Sequence, residues 1–154
     1  MPRITPFLWF DSQAEEATNY YISIFKNGKV LNLHRANGKV LTVTFELDGQ
    51  RIMALNGGPI FKFTEAISLF VDCETQEEVD ALWDKLCAHG GQAGRCGWLK
   101  DKYGLSWQIM PKALMQLLSD PDPEKADAVL QAMLKMNKIV IEDLKRAYEG
   151  KNAA

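Results

Sequence analysis

Histidine is scarce in this chain: only His34 and His89 occur in 154 residues, and the three cysteines, Cys73, Cys87 and Cys96, stand apart without C-x-x-C spacing. An odd, scattered set of thiols builds neither a disulfide framework nor a zinc knuckle, so the cysteines read as reduced, small, largely buried hydrophobes. No Ser-His-Asp or Cys-His constellation can be assembled from so few imidazoles. Basic excess is missing too. Eighteen Lys plus Arg against 20 Asp plus Glu leave a net charge of -2, whereas phosphate neutralisation needs a basic stripe, so no nucleic-acid partner is expected. No run approaches the ~20 apolar residues that cross a bilayer, and Met-Pro-Arg-Ile-Thr-Pro at the start lacks the apolar h-region of a signal peptide. The expectation is a cytoplasmic protein with no membrane partner.

What is present suits one ordinary soluble domain, 47% hydrophobic and 25% charged. A chain of this size hides roughly 68–70% of the surface its unfolded form exposes, so its stability requires neither disulfides nor a structural metal. Residues 4–10 alternate, with Ile4, Leu8 and Phe10 on one side and Thr5, Phe7 and Trp9 on the other, the period of a half-buried strand. Ser12 and Glu15 stand at capping-box spacing, and Ala14, Ala17, Tyr21, Ile24 and Phe25 then mark one helical face up to Asn27-Gly28. Strand patterns follow at 29–34 and 39–47, and Asp48-Gly49 closes a hairpin. A two-residue loop predicts the pairs Leu47–Gln50, Glu46–Arg51, Phe45–Ile52 and Thr44–Met53.

After Asn56-Gly57-Gly58-Pro59, a turn-rich connection, the order repeats. Ile67, Leu69 and Val71 alternate with Ala66, Ser68 and Phe70, Thr75 and Glu78 form a second capping box, and Val79, Leu82, Trp83 and Leu86 make the helical stripe. A slide of about sixty-two residues lays Ala17 on Val79, Tyr21 on Trp83 and Ile24 on Leu86, which indicates an internal duplication of a βαβββ unit. Short strands near 93–100 and 105–110 complete the second copy around a turn at Asp101-Lys-Tyr-Gly104, where the charges are expected to be solvated. The expected class is α+β, in a single domain comprising a first module at 1–58, a second at 64–110 and a helical tail at 111–154. In that tail Asp122-Pro123 is an N-cap and N1 pair, with Ala126, Val129, Leu130, Met133 and Leu134 at helical spacing and a further turn or two around Ile141, Leu144 and Tyr148. The tail is expected to lie over the sheet or a second subunit.

Two βαβββ modules in one short chain resemble the vicinal oxygen chelate superfamily of glyoxalases, extradiol dioxygenases and bleomycin-resistance proteins. The segments Ile4-Thr-Pro-Phe-Leu-Trp-Phe10, Ala54-Leu-Asn-Gly-Gly-Pro59, Cys73-Glu-Thr-Gln-Glu-Glu-Val79 and Cys96-Gly-Trp-Leu-Lys-Asp-Lys-Tyr-Gly-Leu-Ser-Trp-Gln-Ile109 look like its PhnB-like group, often labelled 3-demethylubiquinone-9 3-methyltransferase, and the likeness extends to the Asp120-Pro-Asp-Pro123 tail. The resemblance implies a divalent metal held by one side chain from the first and one from the last strand of each module. Carried over residue by residue, those positions fall on Thr5, Met53, Ala66 and Gln108. None is a His or carboxylate able to hold Zn²⁺, Ni²⁺, Mn²⁺ or Fe²⁺ in an open Lewis-acid site. No metal and no other cofactor is therefore expected. A methyltransferase activity finds no support either, because no Gly-rich loop joins a strand to a helix with an acidic residue beyond.

The faces opposite the core rows carry Phe7, Trp9, Thr42, Thr44, Met53, Leu55, Ser68, Phe70, Ser106, Gln108 and Met110, mostly apolar with a few hydroxyls and one amide, the make-up of a small-molecule pocket. The same residues would equally serve as a closed second core. The expected ligand-binding set is Phe7, Trp9, Thr44, Met53, Asn56, Ser68 and Gln108, with Asn56 open to two uses, close backbone approach to a ligand or a crossover turn. The expected function is metal-free binding of a small apolar or aromatic metabolite in a cleft between the modules. The alternatives are a glyoxalase- or dioxygenase-like enzyme with an unconventional metal site and an oligomerisation scaffold. By resemblance, and because sheet edges need covering, the chain is expected to form a homodimer.

Overall fold

Asp48 and Gly49 both take positive φ, 46° and 85°, as a type I′ hairpin turn requires. The strands they join keep the expected register in the computed structural model of the chain, which describes residues 3–150: Leu47 faces Gln50, Glu46 faces Arg51, Phe45 faces Ile52 and Thr44 faces Met53. Around this hairpin the residues up to Phe63 form one compact unit, and those from Thr64 onward form another. The first contains β1 (Phe7–Phe10), α1 (Ala14–Ile24), β2 (Lys29–Ala36), β3 (Lys39–Leu47) and β4 (Gln50–Asn56) in the sheet order β1-β4-β3-β2, with β1 parallel to β4. The second contains β5 (Ser68–Cys73), α2 (Gln76–Cys87), β6 (Gln92–Ala93), β7 (Trp98–Lys100) and β8 (Ser106–Pro111) in the order β5-β8-β7-β6, with β5 parallel to β8. Each is a βαβββ module, so the fold is α+β as the sequence indicates.

The period of two sorts side chains onto two faces. Leu8, Phe10, Val43, Phe45, Leu47, Ile52 and Ala54 are buried, as are Ala14, Ala17 and Tyr21 of α1, and the Tyr21 ring stacks against Phe45 with centroids 6.4 Å apart. Each large apolar side chain so buried contributes about 1.5–3 kcal/mol. In the second unit Trp107, Ile109, Leu99 and Cys73 take the corresponding rows beneath Val79, Leu82, Trp83 and Leu86 of α2. Burial pushes the Cys73 thiol up to about 12, which keeps it neutral.

Several local expectations change. β1 starts at Phe7 and not at residue 4, because Pro6 has no N–H for the ladder and only its carbonyl joins, accepting from Met53 N at 2.9 Å. Ser12 caps nothing: α1 begins after Gln13, and its first free amide, Ala14 N, donates instead to Asn56 Oδ1 at 2.8 Å. The second capping pair does form in a modified way, with Glu78 N donating to Thr75 Oγ1 while the Glu78 carboxylate accepts from Glu74 N, one residue before the cap. Asp101 is not solvated. It is 2% exposed, and its carboxylate accepts from Tyr103 N, Leu105 N and Trp107 Nε1 at 2.8, 3.1 and 2.9 Å.

The tail holds three helices, α3 (Lys112–Leu118), α4 (Pro123–Leu134) and α5 (Ile141–Tyr148), of which α3 leaves no capping signal in the sequence. Asp122 caps α4 by accepting from Glu124 N, with Pro123 at its first position. Val129, Ile139, Leu144 and Leu114 bury themselves with Met110 of β8, and Trp98 packs beside them. The tail thus lies over one end of the second sheet. Gln76, the first residue of α2, clamps it by donating to Ile139 O at 2.9 Å and accepting from Ile141 N at 2.7 Å, while Lys138 pairs with Asp80 at 2.9 Å.

Two outcomes follow from these contacts. Asp101→Ala strands three donors, two of them buried, and lowers unfolding free energy by about 3 kcal/mol in urea titration; an unchanged midpoint would refute the structural role of the carboxylate. Gln76→Ala accelerates amide hydrogen exchange at Ile141 and through α5 while the protection of β3 and β4 stays as in the wild type.

Candidate functional site

In the first unit the parallel β1–β4 pair and the β3–β4 hairpin bring Phe7, Trp9, Met53, Leu55, Thr42 and Thr44 onto the sheet face away from α1: Phe7 pairs with Met53, Trp9 with Leu55, Thr44 with Met53 and Thr42 with Leu55. Phe7 is exposed, while Trp9, Thr44 and Met53 are half-buried. Trp9 is fixed from two sides. Its indole Nε1 donates to Gly58 O at 2.9 Å, and Phe61 meets its ring edge-on with centroids 4.9 Å apart. Gly57 passes so close beneath the indole that a Cβ there would lie 2.3 Å from Cζ2, which explains the glycine physically.

Asn56 sits at the end of β4 and belongs to this frame. Its Oδ1 takes the Ala14 amide and its Nδ2 donates to Val40 O at 3.1 Å, so one side chain ties α1, β3 and β4 together. Sequence reasoning did not find this use, because the partners lie 42 and 16 positions away.

In the second unit the face away from α2 carries Ser68, Phe70, Ser106, Gln108, Trp98 and Lys100, with Ser68 opposite Ser106, Phe70 opposite Gln108 and Trp98 opposite Gln108. Gln108 Nε2 donates to Ser68 Oγ at 2.8 Å. Ser106 is buried, and so is Met110, which the tail helices enclose; Met110 therefore serves the tail core and does not line an open face. This register also corrects the sequence alignment of the modules. Since Phe7 opposes Met53 and Phe70 opposes Gln108, the equivalent of Thr5 is Ser68, and Ala66 lies outside the strand on an exposed turn.

A model of the 3-demethylubiquinone-9 3-methyltransferase family matches residues 2–110. The chain belongs to that family. Its fold is that of the PhnB protein of Bacillus cereus, to which it is 37% identical with a TM-score of 0.67, covering 71% of this chain and 99% of that one. Two more distant structures share the fold: the glyoxylase/bleomycin resistance protein/dioxygenase domain from Frankia sp. EAN1pec (TM-score 0.51, 16% identity, 72% of this chain and 92% of that one) and the fosfomycin resistance protein FosX from Listeria monocytogenes, solved with Mn(II) and sulfate (TM-score 0.54, 16% identity, 69% and 88%). Among curated proteins none matches. The chain is a PhnB-like member of the vicinal oxygen chelate superfamily, and the family match ends at Met110, so α3–α5 lie beyond it.

The divalent metal implied by that superfamily does not fit the side chains present. The first unit offers Thr5 and the Met53 thioether, and the second offers Ser68 and Gln108, whose polar atoms already bond to each other. Hydroxyl, thioether and carboxamide groups are poor donors to a hard or borderline cation compared with imidazole and carboxylate. Among the described residues, no three His, Cys, Asp or Glu side chains gather as a metal-holding group. No helix of the described residues is long and apolar enough to cross a membrane.

Asn56→Ala removes a helix cap and a carbonyl partner together and costs about 2 kcal/mol by chemical denaturation. A loss below about 0.5 kcal/mol, the level of an ordinary surface change, would contradict the role given to this amide.

Proposed function

We propose that the protein binds a small apolar or aromatic metabolite on the sheet faces turned away from its helices, without a divalent metal. The observation that carries this reading is the hydrogen bond of Gln108 to Ser68: at the strand pair where the superfamily fold would hold an ion, an amide and a hydroxyl bond to each other. Phe7, Trp9 and Met53 supply apolar walls, and Thr44, Ser68 and Gln108 supply directional hydrogen bonds, the mixture that small-molecule sites use. Trp9 is well suited to be a wall because its N–H is already satisfied by Gly58 O and its plane is set by Phe61.

The methyl transfer named in the family description draws no support from the residues. Asn56-Gly57-Gly58 follows a strand, but the chain after it runs without regular structure to β5 and does not enter a helix, so the strand–loop–helix cradle for a nucleotide-bearing cofactor is missing there. Pairing of two chains is part of the same proposal. β2 is an edge strand of eight residues, exposed along nearly its whole length, and such an edge is normally covered or blunted.

The test is a thermal-shift screen of quinones, phenols, dicarbonyls and divalent ions, with Trp9→Ala and Gln108→Ala as controls. The organic probes raise Tm and the ions do not, and both substitutions weaken the shift. A stoichiometric divalent ion in protein purified without chelators would overturn the metal-free reading, and organic hits that ignore both substitutions would overturn the location.

A further inference from the structure

The face of the second unit turned away from α2 also holds a pocket of about 230 Å³ at the margin made by β6, β7 and the start of β8. Glu65, Arg95, Trp98, Lys100 and Ser106 are among its lining residues. Lys100 and Ser106 are direct partners across the β7–β8 pair. Ser106 is 1% exposed, and its Oγ has no hydrogen-bond partner among the described residues, an uncompensated cost that native interiors rarely carry. Lys100 Nζ is paired with the Glu65 carboxylate. The hydrogen bond from Lys100 is the largest reason that the Glu65 carboxyl lies below the ordinary glutamate range. Glu65 itself is mostly exposed and sits on a turn of the segment leading to β5. Arg95, also exposed, forms no ion pair among the described residues.

A cation held by a solvent-exposed carboxylate on an irregular segment is weakly committed, because exposed pairs contribute little. We propose that the pocket binds a small organic carboxylate, and that Glu65 is the internal occupant which this ligand displaces from Lys100. The incoming carboxylate takes the Lys100 ammonium, gains a second charge-assisted contact from Arg95, and rests its body on the Trp98 ring. With Glu65 released to water, the Ser106 hydroxyl acquires the acceptor it lacks. The volume falls below the roughly 300–1,000 Å³ of drug-sized ligand sites, which limits the ligand to an acid of about one ring or a short chain. This assignment rests on the reading that the face receives ligands, and adds the chemical class taken at its margin.

Isothermal titration with sodium benzoate, against benzyl alcohol as the neutral shape-match and inorganic phosphate as a bodiless anion, tests it. Benzoate binds more tightly than either comparator. Glu65→Gln, which removes the competitor and keeps the shape, tightens benzoate about twofold to fivefold, the range set by an exposed ion pair. Lys100→Met weakens it at least about tenfold, and Ser106→Ala about threefold. Unchanged affinity in Glu65→Gln, wild-type affinity in Lys100→Met, or no benzoate binding in both wild type and Glu65→Gln overturns the proposal. Benzoate binding that tightens in Glu65→Gln supports it even if the quinone and phenol screen fails, in which case only the broader reading falls.

Discussion

Parallel pairing of the first strand with the last strand in each unit is the constraint on which the rest of the structure depends. A strand presents alternate residues to opposite faces, so a slip of β1 by one position along β4 would send Phe7 and Trp9 under α1 and turn Leu8 and Phe10 to the outside. Two features hold the register in the first unit. The Asp48-Gly49 turn locks β4 to β3, and Asn56 at the end of β4 ties that strand to α1, which follows β1 almost immediately. In the second unit the shared hydrogen bond of Gln108 and Ser68 crosses the equivalent β5–β8 pair. These ties decide which side chains each sheet presents on the face away from its helix.

The fold was legible wherever the deciding interaction is local. A two-residue turn specifies its own register, a helix stripe repeats every three or four residues, and the Thr75–Glu78 box closes within one turn. Failures came where a distant group outcompetes the local one. Ser12 has the right spacing for a cap, yet the Asn56 amide arrives from 42 positions away and takes the Ala14 donor. Asp101 reads as a turn charge until the Trp107 indole folds back and, with two backbone amides, supplies enough donors to bury it. Ala66 falls beside Thr5 among the carried-over metal positions, but only the parallel register reveals that Ser68 is the residue brought to Gln108. The strand faces and their residue types were therefore legible, while the first-strand metal position carried over to the second unit falls two residues short of Ser68, which was already among the expected ligand-binding residues.

The tail shows how a segment outside the family match can still be integral to one unit. Met110 is the last matched residue and also a member of the buried cluster with Val129, Ile139 and Leu144, so the sheet and the helices share side chains at that joint. Backbone bonds reinforce it: Cys96 N donates to Met136 O and Gly97 N to Asn137 O, both at 2.8 Å. Gly97, at φ 83°, also leaves room for the Met110 side chain, whose Cε would lie 2.9 Å from a Cβ there. One consequence concerns Trp98, which packs against the tail cluster and lines the β6–β7 pocket, so the pocket wall is braced by helices that the core modules do not provide.

A metal in a strand-pair site does two jobs: it supplies Lewis acidity, and it ties neighbouring strands through its ligands. In this chain the second job is carried by other means. Gln108 reaches Ser68 diagonally across the parallel pair at 2.8 Å, and in the first unit the Trp9 indole spans from β1 to Gly58 beyond the end of β4 at 2.9 Å. Each of these neutral hydrogen bonds contributes only about 1 kcal/mol, far less than a structural zinc site, but the sheets do not need more because their opposite faces bury Phe45, Ile52, Trp107 and Ile109. These positions hold a thioether and a hydroxyl in one unit and an amide and a hydroxyl in the other, poor donors to a hard or borderline cation; on the proposed reading they discriminate a ligand by shape and hydrogen bonding rather than activate it by charge.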